Sequence, residues 1–122
     1  MVTAVTSFGR SGLYDWLIQR VSAVAMVAYT LFIVFYLVLN PGMEYAQWQM
    51  LFNQLWVRIF TLITLVSVIA HAWIGLWAVL TDYLTERMMG NKAVILRLIA
   101  QAILAVVAVT YAVWGIEIIW GI

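Results

Sequence analysis

No cysteine occurs anywhere in the chain. That excludes disulfides, thiolate metal sites, thiol nucleophiles and any iron–sulfur cluster held by this chain alone. Charge is almost as scarce, with six Lys and Arg and five Asp and Glu in 122 residues, 9% of the total. A soluble domain carries roughly a quarter charged residues. With 67% hydrophobic residues and a mean hydropathy of +1.07, there is too little charge to clothe a water-facing surface. Lipid is the expected solvent. The net charge of +1 is not gathered into a basic patch, so nucleic-acid binding has no electrostatic support. Proline and histidine each occur once, as Pro41 and His71.

The apolar residues fall into three runs, expected at about 16–39, 55–80 and 98–119. The first ends at Asn40-Pro41-Gly42, a triplet that stops a helix. Each run is long enough, as a helix, to cross a hydrocarbon core of about 30 Å. Backbone groups in that core must be satisfied within the segment or in a closed barrel, and continuous apolar runs without strict alternation favour helices. The expected fold is all-α integral membrane, a single domain over residues 1–122 with three transmembrane helices. The N-terminus does not read as a cleaved signal peptide. Its apolar stretch is too long, and Ser7, Arg10, Asp15 and Arg20 precede most of it.

His71 lies about 15 Å deep, ten residues from the near end of the second run at 1.5 Å per residue. An imidazole at that depth faces the bundle interior, a partner or a cofactor. Two readings fit equally at this point: a neutral histidine bonding a neighbouring helix, or a ligand or proton relay. Thr64, Ser67, Gly75, Ala78 and Asp82 fall within about 40° of His71 on a helical wheel. This small, weakly polar face suits close helix packing. It also leaves room for a flat group such as a porphyrin, for which histidine is a standard axial ligand. With one histidine in the chain, a second axial histidine would come from another polypeptide. Trp73, two residues on, sits deep rather than in an aromatic belt. Thr81-Asp82-Tyr83 marks the mouth of the same helix, either as an interfacial anchor or as a hydroxyl able to bond a ligand carbonyl. Arg20 either snorkels to headgroups or meets a carboxylate-bearing cofactor.

These residues also carry a resemblance. His71-Ala72-Trp73-Ile74-Gly75-Leu76-Trp77 with Val79-Leu80-Thr81-Asp82-Tyr83 closely resembles the small cytochrome b membrane anchor of bacterial succinate dehydrogenase (respiratory complex II). Gly9-Arg10-Ser11-Gly12, Asp15-Trp16, Arg20 and the closing Ile119-Trp120-Gly121-Ile122 are similar to that family too, so the likeness covers nearly the whole chain. The resemblance implies that His71 is one axial ligand of a haem b shared with a second cytochrome b anchor subunit, which completes the helix bundle. It implies that Tyr83 hydrogen-bonds ubiquinone near an iron–sulfur subunit, and that Asp82 belongs to the surroundings of that site. Arg20 stands where it could meet a haem propionate. Tyr14 departs from the best-known member of that family, which has histidine there, so no propionate contact carries over to that position. FAD and the iron–sulfur clusters would belong to partner flavoprotein and iron–sulfur subunits. A fumarate reductase anchor is a near relative, but members of that group with two small anchors lack the haem histidine. The alternative from another class is a non-redox membrane protein, a transporter subunit or assembly factor, with His71 as a structural hydrogen bond.

Orientation follows from the cations. Arg10, Arg20, Arg87, Lys92 and Arg97 lie on one side, and Arg58 alone on the other. The positive-inside rule places the N-terminus in the cytoplasm and the C-terminus outside, which the resemblance implies is the periplasmic face of a bacterial inner membrane. Tyr14, Trp16, Trp77 and Tyr83 mark one boundary, and Trp48, Trp56, Trp114 and Trp120 the other. A reporter that works only outside the cytoplasm, fused after Ile122, is therefore expected to be active. A cytoplasmic signal from that fusion would overturn the orientation.

Overall fold

The computed structural model describes residues 12–83, 85, 87 and 90–121. Among these residues the structure is helical: α1 (Gly12–Leu39), α2 (Tyr45–Phe52), α3 (Leu55–Tyr83) and α4 (Lys92–Trp120). Three of them, α1, α3 and α4, are long and apolar enough to cross a membrane, as the three apolar runs predict. Each is longer than its run. Hydropathy detects only the stretch inside hydrocarbon, whereas the backbone hydrogen-bond ladder continues through the headgroups. A helix of 29 residues, such as α3 or α4, spans about 44 Å, close to a bilayer with its interfacial layers. Lys92 and Arg97 thus lie in the first turns of α4 rather than in a loop. Gly9, Arg10, Ser11 and Ile122, expected to mark the two ends, lie outside the described residues.

Helix α1 stops where Asn40-Pro41-Gly42 predicts, with Gly42 at φ 69°, a backbone conformation open to glycine without strain. The short helix α2 was not anticipated. Its signals are Glu44 and Gln47 in capping-box spacing, with Glu44 N–H donating to Gln47 Oε1 at 3.1 Å, and aromatics at 45, 48 and 52. Trp48 and Phe52 pack with centroids 4.9 Å apart. Arg58 fastens this helix to α3. Its Nε–H donates to the Phe52 carbonyl at 2.8 Å and its Nη2 to Asn53 Oδ1 at 3.3 Å, satisfying a carbonyl at the negative end of α2.

Helix α3 is central, packing against both α1 and α4. Against α4 the approach is close at Gly115, where an added Cβ would lie 2.7 Å from Leu65 Cδ2. Glycine at such a crossing lets two helices come together. Against α1 the packing is aromatic and antiparallel. Phe60 meets Tyr29 edge-on at 5.1 Å and Phe32 at 5.6 Å, and Trp56 meets Phe32 at 5.5 Å. The internal core is thin: only 6% of the apolar window of α1, and 11% of those of α3 and α4, is buried within the chain. Such large apolar faces need lipid or other membrane helices to cover them.

One turn of this interface yields an asymmetry that can be measured. Thr61 donates its hydroxyl proton to the Val57 carbonyl at 2.8 Å, so its oxygen accepts from Tyr29 Oη at 2.8 Å. Tyr29→Phe leaves Thr61 still bonded and should cost about 0.6 kcal/mol, the average for an interhelical hydrogen bond in lipid. Thr61→Val strands the Tyr29 hydroxyl and should cost more, about 1–2 kcal/mol. Reversible unfolding in mixed micelles measures both, and a larger loss for Tyr29→Phe would refute the assigned proton direction.

Candidate functional site

His71 sits near the midpoint of α3, half-buried. Of the residues predicted to share its face, Thr64 and Ser67 donate to carbonyls of their own helix, those of Phe60 at 2.9 Å and Ile63 at 2.8 Å. Neither bonds the imidazole. Its partners come instead from α1. Ser22 Oγ lies 3.0 Å from Nδ1 and Gln19 Nε2 lies 3.4 Å from the ring Nε2. Ser22 is the one residue of α1 that the chain buries, at 4% exposure. A helix that turns leucine, valine and phenylalanine outward therefore keeps a serine inside. Gly75, one turn beyond His71, gives the Gln19 side chain its space, because an added Cβ would lie 3.6 Å from Gln19 Nε2.

Sequence reasoning missed Gln19 and Ser22. The available signal was two polar residues three apart, hence about 60° apart on one face, inside an apolar run. Asp15 lies one turn before Gln19 on the same face. Asp15 Oδ1 and Gln19 Oε1 are buried without a hydrogen-bond partner. Acceptors left unpaired in a low-dielectric setting are unfavourable, so this edge of α1 calls for donors from whatever packs beside it.

The other candidate residues lie apart from His71. Arg20 is exposed, with its guanidinium carbon 5.5 Å from the Trp16 ring centroid, a cation–π pairing at the start of α1. Asp82 and Tyr83 end α3 and are both exposed. Asp82 is eleven residues from His71, about 16 Å along the helix axis. Tyr14 is exposed on the first turn of α1. Trp73 is half-buried. Among the described residues, no group of three or more His, Asp or Glu side chains could hold a bare metal ion.

Long apolar helices around one fixed imidazole define a multi-pass helical membrane protein with a polar centre between its helices. The model of the succinate dehydrogenase/fumarate reductase transmembrane subunit family matches residues 3–114, and the chain belongs to that family. It is also 38% identical over 111 residues to the succinate dehydrogenase hydrophobic membrane anchor subunit of Coxiella burnetii (strain RSA 493 / Nine Mile phase I). That match spans 91% of this chain and 90% of the relative.

Proposed function

We propose that this chain is the membrane-anchor subunit of a bacterial succinate:ubiquinone oxidoreductase, holding the flavoprotein and iron–sulfur subunits at the inner membrane. The observation that carries the reading is the match to an anchor subunit over nine-tenths of both chains, with His71 on the site's central helix. Without cysteines for clusters, the chain oxidises no succinate alone. Its part is attachment, haem ligation and one wall of the quinone site.

The residues around His71 suit haem b. A ligating histidine offers one ring nitrogen to iron while the other donates to a second group. Ser22 stands 3.0 Å from Nδ1 in that second role, while Nε2 meets only the longer contact to Gln19, 3.4 Å. Haem bound there supplies a one-electron centre between the helices. His71, Gly75 and the neighbouring turns of α3 would border it on this side, and a second cytochrome b anchor subunit would border it on the other. Arg20, on the outer surface of α1, is available to a propionate. The interhelical bond to Ser22 also fulfils the structural role of a membrane histidine, so the two readings of His71 are compatible.

Quinone chemistry belongs at the far end of α3. Reduction puts negative charge on a carbonyl oxygen, and a hydroxyl aimed at it stabilises that charge, more so in a low-dielectric site. Tyr83, 67% exposed, has its ring open to a ligand or partner. Its place at the end of the apolar span lets protons arrive from water. Asp82 beside it would order that water or orient the site.

His71→Ala is expected to alter or abolish the low-spin b-type spectrum of the purified complex. An unchanged spectrum and midpoint potential would exclude His71 as a ligand. Tyr83→Phe is expected to keep assembly, haem and succinate oxidation with an artificial acceptor that draws electrons upstream. Its succinate–quinone turnover should fall about tenfold or more. Wild-type turnover in that variant would remove Tyr83 from the quinone site.

A further inference from the structure

The hydroxyls of the membrane helices share a pattern. Thr30, Thr61, Thr64, Ser67, Thr81 and Thr110 each donate to the carbonyl one turn back, at 2.8 or 2.9 Å. This is the local bond a lone hydroxyl makes in a helix that lacks water. Ser22 also has a carbonyl of its own helix within reach, donating to that of Gln19, three residues back, at 3.1 Å. A carbonyl only accepts, and a serine has one proton to give. With that proton given to the carbonyl, Ser22 Oγ presents lone pairs to His71 Nδ1 at 3.0 Å, an arrangement that puts the hydrogen on Nδ1. A neutral imidazole then has its lone pair on Nε2. The Gln19 amide is consistent with this, placing its Nε2, a donor, 3.4 Å from that nitrogen.

We propose that Ser22 is the positioning residue of His71, accepting the Nδ1–H and so fixing the tautomer whose Nε2 lone pair is free to ligate. Its use rests on the haem-ligand reading above, but the tautomer itself can be measured without haem. Two features make the control firm. Ser22 is buried, at 4% exposure, so water does not compete for the Nδ1–H. Its oxygen is also locked from behind by its own helix, so the hydroxyl cannot turn its proton toward the ring without abandoning the Gln19 carbonyl. Gln19 holds the Nε2 face through a longer, weaker contact on a flexible side chain, the kind that gives way to a stronger partner. Orienting a ligand through its other ring nitrogen also raises its basicity.

The chain has one histidine, so ¹⁵N-histidine labelling of the full chain in lipid nanodiscs reports a single imidazole. With the ring neutral, the wild type is expected to show a protonated Nδ1 and an unprotonated Nε2. Ser22→Ala should move the proton to Nε2, and Ser22→Thr, which keeps the hydroxyl, should restore the wild-type pattern. An Nε2-protonated ring in the wild type would mean that Ser22 donates to Nδ1 instead, and would overturn the proposal. So would an Nδ1–H tautomer that survives Ser22→Ala. If the alanine variant does not accumulate, Ser22→Cys, a weaker acceptor, should raise the Nε2–H fraction, and no change there counts against the proposal equally. The haem reading is judged separately. A complex whose spectrum ignores His71→Ala loses the ligand assignment, while the tautomer result stands.

Discussion

Water is missing from the solvent in which this chain folds, and hydrogen bonding within the structure is organised by that fact. Backbone groups close their bonds inside each helix, and side-chain hydroxyls hand their protons back to the carbonyl one turn earlier. A hydroxyl so committed retains only acceptor capacity. Where another helix brings a donor alongside, the result is a directed bond whose polarity is settled in advance. Tyr29 to Thr61 and His71 to Ser22 are two instances between the same pair of helices, α1 and α3. The apolar remainder gives close packing but little direction, since lipid is as good a neighbour for leucine as another leucine is.

This division of labour shapes the site. The middle helix carries the imidazole at mid-depth and Asp82 and Tyr83 at its end, so one rigid rod sets the separation between a half-buried imidazole and an exposed hydroxyl. The first helix determines how the imidazole is turned. Neither helix encloses the site, because so little of each is buried within the chain. The unpaired oxygens of Asp15 and Gln19 reinforce the same point along the edge of α1. Membership of a family of membrane-anchor subunits fits this character, a chain whose apolar faces and unpaired oxygens are left for neighbours to cover.

Much of this was legible in the sequence, and the remainder was hidden for definable reasons. The three long helices follow from hydropathy and length, and the end of α1 from Asn40-Pro41-Gly42. The extra turns of α3 and α4 were hidden because the helix outlasts the hydrocarbon that hydropathy detects. Helix α2 was hidden because eight residues hold barely two periods, and its capping signal at Glu44 and Gln47 is short. His71 announced itself by being polar at depth. Its contacts with Ser22 and Gln19 could not be read in that way, because a helical wheel describes one helix at a time. Which turn of α1 faces which turn of α3 depends on their crossing, and no single-helix periodicity encodes it.

The antiparallel pairing of α1 with α3 bears on the order in which the protein is made. Both groups that hold the imidazole lie upstream of it in the chain, and α4 contributes neither. A ribosome that has released α3 into the membrane has therefore supplied every side chain in the Gln19–Ser22–His71 arrangement while the final helix is still being synthesised. The first two membrane crossings form a hairpin with its polar latch already available. The last helix then packs against α3, where Gly115 admits it closely. The orientation of the imidazole is thus prepared early, and the third crossing is added to a polar pair of helices that already exists.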